Sequence, residues 1–176
     1  MTVTIRLDTK SLDDLLRQLE DDVNEAVRPA AQAAAQVLYN AVEANVAALG
    51  RKTGNLDKSI YQVYSKAKSN AEVAAYEIGW NRRIAPHGQL IEFGYMQRYE
   101  MGKDESGRFT GPMIRPEMMG KPKPSSRAAQ SVKDAYYIPR IGGPVQVPAK
   151  AFIRGAQSRF PQALEAAKNE LLSRIK

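Results

Sequence analysis

Apolar and polar positions change period several times along this chain, and each change marks an element. In "MTVTIRL", Val3, Ile5 and Leu7 alternate with Thr2, Thr4 and Arg6, the period of a half-buried strand. From residue 11 the period becomes helical. Leu12, Leu15, Leu16, Leu19, Val23, Ala26 and Val27 fall on one face, which is therefore expected to be core. Ser11 and Asp14 have the spacing of a capping pair, and Asp13 and Asp14 suit the positive first turn. Pro29 is expected to kink this helix or to open a second one. The stripe resumes through Ala30, Ala34, Val37, Leu38, Ala41 and Val42, with alanines small enough to admit another backbone closely. Gly50 has the character of a helix stop.

Beyond a "RKTGN" turn the period drops to two. "LDKSIYQVYSK" and "EVAAYEIGW" read as strands, with Ala74, Tyr76, Ile78 and Trp80 on one face and "SKAKSNA" as the loop between them. "GQLIEFG" is too short to assign, and its pattern fits a turn or two of helix as well as a strand end. At the far end, Phe160, Leu164, Ala167, Leu171 and Ile175 mark an amphipathic helix with Pro161 in its first turn. The expected class is α+β: two long helices packed on a small, mainly antiparallel sheet.

Residues 95–148 differ in composition. They hold 7 of the 10 prolines, 6 of the 12 glycines and 5 of the 6 methionines. This stretch is read as an extended loop or hairpin insertion within a single domain spanning 1–176. A hairpin is expected around "KDESG", and a helix in "SSRAAQSVKDAYY" capped by Ser125 or Ser126.

Charge is unevenly placed. Residues 1–50 carry 4 basic and 8 acidic side chains, whereas residues 95–150 carry 10 basic and 5 acidic ones. An acidic end and a basic remainder suit stacking against copies of the same chain, or facing a polyanion. The chain of 176 residues has no cysteine and one histidine, so thiol chemistry and an all-protein transition-metal site are not expected. No apolar run approaches the roughly 20 residues of a membrane span, and "MTVTIRLDTK" lacks the pattern of a secretory leader.

Catalysis finds little support. His87, in "IAPHGQ" between a proline and a glycine, is read as a loop residue rather than a base. Glu72 and Glu77, or Asp104 and Glu105, lack the placement that paired acid–base work needs. No phosphate-binding or dinucleotide loop is present. We therefore expect neither an enzyme nor a cofactor. Nucleic acid has a better case. Arg98, Lys103, Arg108, Arg115, Lys121, Lys123 and Arg127 are interleaved with Tyr95, Tyr99 and Phe109, a mixture able to follow a phosphate backbone without reading bases.

Three short motifs stand in order: "KTGNLDKSI", then "HGQLIEFGY" after a strand ending "EIGW", then "PAKAFIRGA" running into the last helix. Their order resembles the small neck or tail-completion proteins of long-tailed bacteriophages, the tail-component family of lambdoid phages. That family repeats a "TGxLxxSI", an "E-F-G-T" and a "PARPFLRPA" segment. The matching residues here are Thr53, Gly54, Leu56, Ser59 and Ile60; Glu92, Phe93 and Gly94; and Pro148, Ala149, Phe152, Ile153, Arg154 and Ala156. Tyr95 departs from the family's Thr, Ala151 and Gly155 depart from its prolines, and the 95–148 insertion is longer than the family's usual connection.

The resemblance implies a structural virion protein acting as a ring, six-fold to match the tail. Its place would be the neck or the top of the tail, between head-completion or connector proteins and the tail-terminator or tail-tube proteins. Assembly would take place in the host cytoplasm, with no membrane involved and with non-specific contact to genomic double-stranded DNA. Glu92, Phe93, Gly94, Phe152 and Arg154 are the candidate assembly residues. Glu92 and Arg154 have charges able to pair within a subunit or across a ring, Phe93 and Phe152 are expected to anchor loop ends to the core, and Gly54 and Gly94 to make sharp turns. The seven basic residues are candidates for a DNA channel. The rival reading is a free, basic, non-specific DNA-binding accessory protein.

Overall fold

A computed structural model describes residues 10–50, 54–70, 72–107 and 109–175, with side chains described from residue 14 onward. The strand expected at residues 2–7, the side chain of Ser11, Thr53 and Arg108 lie outside what is described. The chain is α+β and divides into two compact units, Met1–Glu92 with Ala151–Lys176, and Phe93–Lys150.

The first unit is built on α1 (Lys10–Ala48), a helical run of 39 residues that passes through Pro29 without a break. Of the two expectations for Pro29, a second helix starting there is not realised. The ring removes one N–H from the ladder, and Ala26 and Ala30 on either side of it are buried. Helix α1 ends where Gly50 turns to φ +78° and donates its N–H to the carbonyl of Ala47. Strands β1 (Ile60–Tyr64) and β2 (Tyr76–Trp80) then pair antiparallel, with Ile60 opposite Trp80 and Tyr64 opposite Tyr76. "GQLIEF" is a short helix, α2 (Gly88–Phe93). A 3-10 turn over Arg154–Arg159 leads into α4 (Phe160–Arg174), with Pro161 in its first turn.

Both strands and α4 pack against α1. The core is a cluster of Val42, Val46, Leu56, Ile60, Ala85, Phe152 and Ala156, with Trp80, Ile91 and Ile153 packed on it. The buried apolar residues of this unit outside that cluster are Ala26, Ala30 and Ala35 on α1 and Ala163 on α4. Two expected stripes need correction. Leu15 and Leu16 are 57% exposed and Leu19 42%, and among the described residues Ala26 is the first buried residue of α1. On α4 it is Ala163 that turns in, leaving Leu164 and Phe160 exposed. Small residues on both helices permit close approach, and a leucine in that seam would hold the backbones apart.

The second unit contains β3 (Tyr95–Gln97), β4 (Met101–Lys103), β5 (Phe109–Pro112), α3 (Gln130–Tyr136) and β6 (Val145–Val147). Strand β3 pairs with β6, and β4 with β5, both antiparallel. The hairpin around "KDESG" is therefore present, tightened by Asp104 accepting from the N–H and hydroxyl of Ser106. Helix α3 starts later than expected: its N-cap is Ala129, without a side-chain cap, rather than Ser125 or Ser126. Buried Tyr136 and Tyr137 form this unit's apolar centre, with Tyr99 packed on Tyr137.

Candidate assembly site

In the first unit the three motifs meet on one core. In the first of them, Gly54 takes φ +73°, a conformation easy only without a Cβ. Leu56 and Ile60 enter the core cluster. Between them Ser59 is buried. Its hydroxyl donates to the Leu56 carbonyl at 2.7 Å, and its own carbonyl accepts the N–H of Asn81 at the end of β2 at 2.8 Å.

The second motif supplies Glu92, whose carboxylate is 2% exposed and fully engaged. Oε2 accepts the N–H of Ile153 at 2.9 Å, while Oε1 accepts the N–H and the Nε–H of Arg154, each at 3.0 Å. Nη2 of Arg154 donates to the Glu92 carbonyl at 2.7 Å. Backbone N–H groups at the start of a helical segment have no partner of their own. Glu92 supplies one from 61 residues away, at the entrance to the turn that becomes α4. The two alternatives for the Glu92–Arg154 pair are thereby separated: the pair forms within the subunit.

The third motif places Phe152, fully buried, edge-to-face on Trp80 with ring centres 5.6 Å apart. Its carbonyl accepts from Asn45 on α1 at 2.9 Å. The departures from the family pattern have a geometric reason. Ala151 takes φ +45°, and its carbonyl accepts the N–H of Gly155 at 2.6 Å. Proline at 151 cannot reach a positive φ, and proline at 155 has no N–H to give. Either substitution would undo this turn.

His87 is exposed, and its carbonyl accepts the N–H groups of Leu90 and Ile91, which starts α2. Its neighbour Gly88 lies against the indole of Trp80, where a Cβ would come within 2.5 Å of Nε1. Among the described residues, no three of His, Asp and Glu are grouped to hold a metal ion.

Phe93 belongs to the second unit and is 55% exposed. Gly94 beside it takes φ +71°, with the Val147 carbonyl where a Cβ would stand, so β6 closes on β3 there. Of the basic candidates, Arg98, Lys103, Lys121, Lys123 and Arg127 are exposed. Arg115 is partly buried, its Nε–H shared between the carbonyls of Asp134 and Tyr137 at 3.3 and 3.2 Å. Sequence reasoning missed Asn45 and Trp80 as partners of the motifs, since each contact joins residues whose relation only folding defines.

Residues 10–94 match the family model described as "Bacteriophage HK97-gp10, putative tail-component". Over that span the chain is similar to this phage tail-component family. The matched segment takes in α1, the β1–β2 pair, α2 and the first two motifs. The third motif, which completes their core, lies beyond it. No curated protein and no solved structure matches the chain. The tail-component family is structural, and among the described residues no helix is long and apolar enough to cross a membrane.

Proposed function

We propose that this protein forms a ring in the neck or at the top of the tail of a long-tailed bacteriophage, joining the DNA-filled head to the tail. The tail-component match over residues 10–94 carries this reading. A small, rigid first unit, locked by Glu92 and Phe152, suits a building block that must hold its shape within an assembly. In a ring each subunit meets its neighbours through two different surfaces, and a chain with an acidic first helix and a basic second unit offers two. Six copies would match the tail, with head-completion or connector proteins on one side and tail-terminator or tail-tube proteins on the other. Glu92 and Phe152 serve this role from inside the subunit, while Phe93 and the outer part of Arg154 have surface to offer a neighbour. Lys103, Lys121, Lys123 and Arg127 of the second unit are proposed to lie toward the passing DNA.

The test is deletion of the gene from the parent phage, with electron microscopy of the lysate. Filled heads beside finished but unattached tails are expected, and normal virions would refute the joining role. The rival reading, a free DNA-binding accessory protein, rests on the same basic unit. It requires an affinity for duplex DNA that falls about 10³- to 10⁵-fold between 50 and 200 mM salt, together with normal virions in the deletion lysate.

A further inference from the structure

Two surfaces of this chain have complementary chemistry. The first lies at the start of α1. At about 100° per residue, Asp14, Asp21 and Glu25 fall within one narrow strip, and all three are exposed. Beside that strip run Leu15 and Leu19, 57% and 42% exposed. An acidic edge flanking an uncovered apolar edge is the pattern of a helix that lies on something.

The second surface is a cavity of about 280 Å³ in the second unit, walled by Arg98, Arg115 and Arg140 with Tyr99 and Asp134. The Arg140 N–H donates to the Arg98 carbonyl at 2.9 Å, which sets these two arginines side by side. Arg115 is held by the two carbonyls that its Nε–H reaches. Asp134 is the only carboxylate in the wall. Oδ1 already accepts from the Tyr99 hydroxyl at 2.8 Å and from Gln130 at 2.7 Å. Among the described residues, neither Arg98 nor Arg140 has a carboxylate within salt-bridge distance. Immediately beyond Arg140, Ile141 is 87% exposed, and Val145 follows Pro144 of the cavity wall at 42%.

We propose that this arginine cavity receives carboxylates from the acidic strip of α1 on a second copy of the chain, with Leu15 and Leu19 covering Ile141 and Val145. The proposal rests on the ring reading and names its contact: the helix of one subunit on the second unit of the next. Arginine forks match carboxylates two bonds at a time. The apolar rim decides between a carboxylate and a DNA phosphate, because a duplex backbone has no apolar surface to set on Ile141, whereas an amphipathic helix brings acid and leucine together.

The experiment uses sedimentation velocity on the full chain and two double reversals, R98E/R140E and D21R/E25R. Both change exposed or half-exposed side chains, and thermal melts check that each variant folds. Wild-type chain should sediment as an oligomer, and each reversal alone as a monomer. An equimolar mixture of the two should reassemble, because each reversed face then meets a complementary one. Oligomers that survive both reversals would overturn the contact and leave the ring reading standing. Wild-type chain that stays monomeric at every concentration would overturn the ring reading and this inference with it. If R98E/R140E lowers affinity for duplex DNA and leaves the oligomer unchanged, the cavity is a phosphate site and the proposal is wrong.

Discussion

Glu92 holds its place by charge and geometry together. Both carboxylate oxygens are spent on backbone N–H groups, and one of them also on a guanidinium. Replacing Glu92 with Gln leaves the shape but puts an amide NH₂ against one of those donors. Removing one partner of a buried pair costs about 3 kcal/mol or more, so E92Q should lower the unfolding free energy by that amount, read as a lower urea midpoint at an unchanged slope. Ala151 gives a prediction of opposite sign. A left-handed alanine costs roughly 1 kcal/mol that glycine avoids. A151G should therefore stabilise the chain by up to about 1 kcal/mol. A151P, the family's own residue, should destabilise it in the same urea titration. The charges that make Glu92 and Arg154 partners were legible in the sequence. That Ile153 and Arg154 would also offer their N–H groups was not, because the bond depends on where α2 ends and α4 begins.

The elements follow their sequence patterns closely, while the faces they bury do so less well. Tyr, Val and Ile at alternate positions give β1 and β2, and Gly50 closes α1. Yet Leu15, Leu16 and Leu19 share the periodicity of a core face and remain outside. Since they bury little within the subunit, L15S/L19S should melt within a degree or two of the wild type at concentrations where both are monomeric, whereas V42S on the buried part of the same helix should melt far lower. Calorimetry of the two variants checks this.

The second unit has its own pH signature. Hydrogen bonds from Tyr99 and Gln130 hold the Asp134 carboxyl below its ordinary range, and burial, reinforced by Asp134, pushes the Tyr99 hydroxyl up. A lowered carboxylate stabilises the fold above its unfolded pKa of about 3.9, and this is lost as the solution is acidified through the folded value. A raised tyrosine stabilises below its unfolded pKa of about 10, and this is lost as pH rises through the folded value. The tyrosine near-ultraviolet dichroism of this unit should be flat between about pH 5 and 9 and fall on both sides. Y99F should remove the alkaline limb contributed by this pair.

For the whole molecule, electrostatics sets the scale of what can be tested. If subunits join through carboxylates on arginines, the oligomer should loosen as salt rises from 50 to 500 mM, since exposed pairs are screened within about 10 Å at 0.1 M. The rise in monomer fraction across that range, read by sedimentation, checks this. An oligomer indifferent to salt would point to apolar joining through the leucines alone.

The sequence by itself determined the class of fold, most element positions and the three motifs, because periodicity, turn residues and caps act over a few neighbours. It also placed the histidine in a loop, from its Pro-His-Gly setting. Tertiary structure alone decided which apolar faces found a partner, and that the three motifs build one core. It decided too that Phe152 fills that core. Those outcomes depend on contacts between residues 60 or more positions apart, which local patterns do not encode. Ala151 shows the same division: a residue that reads as a lost proline became, once folded, a position where proline cannot stand.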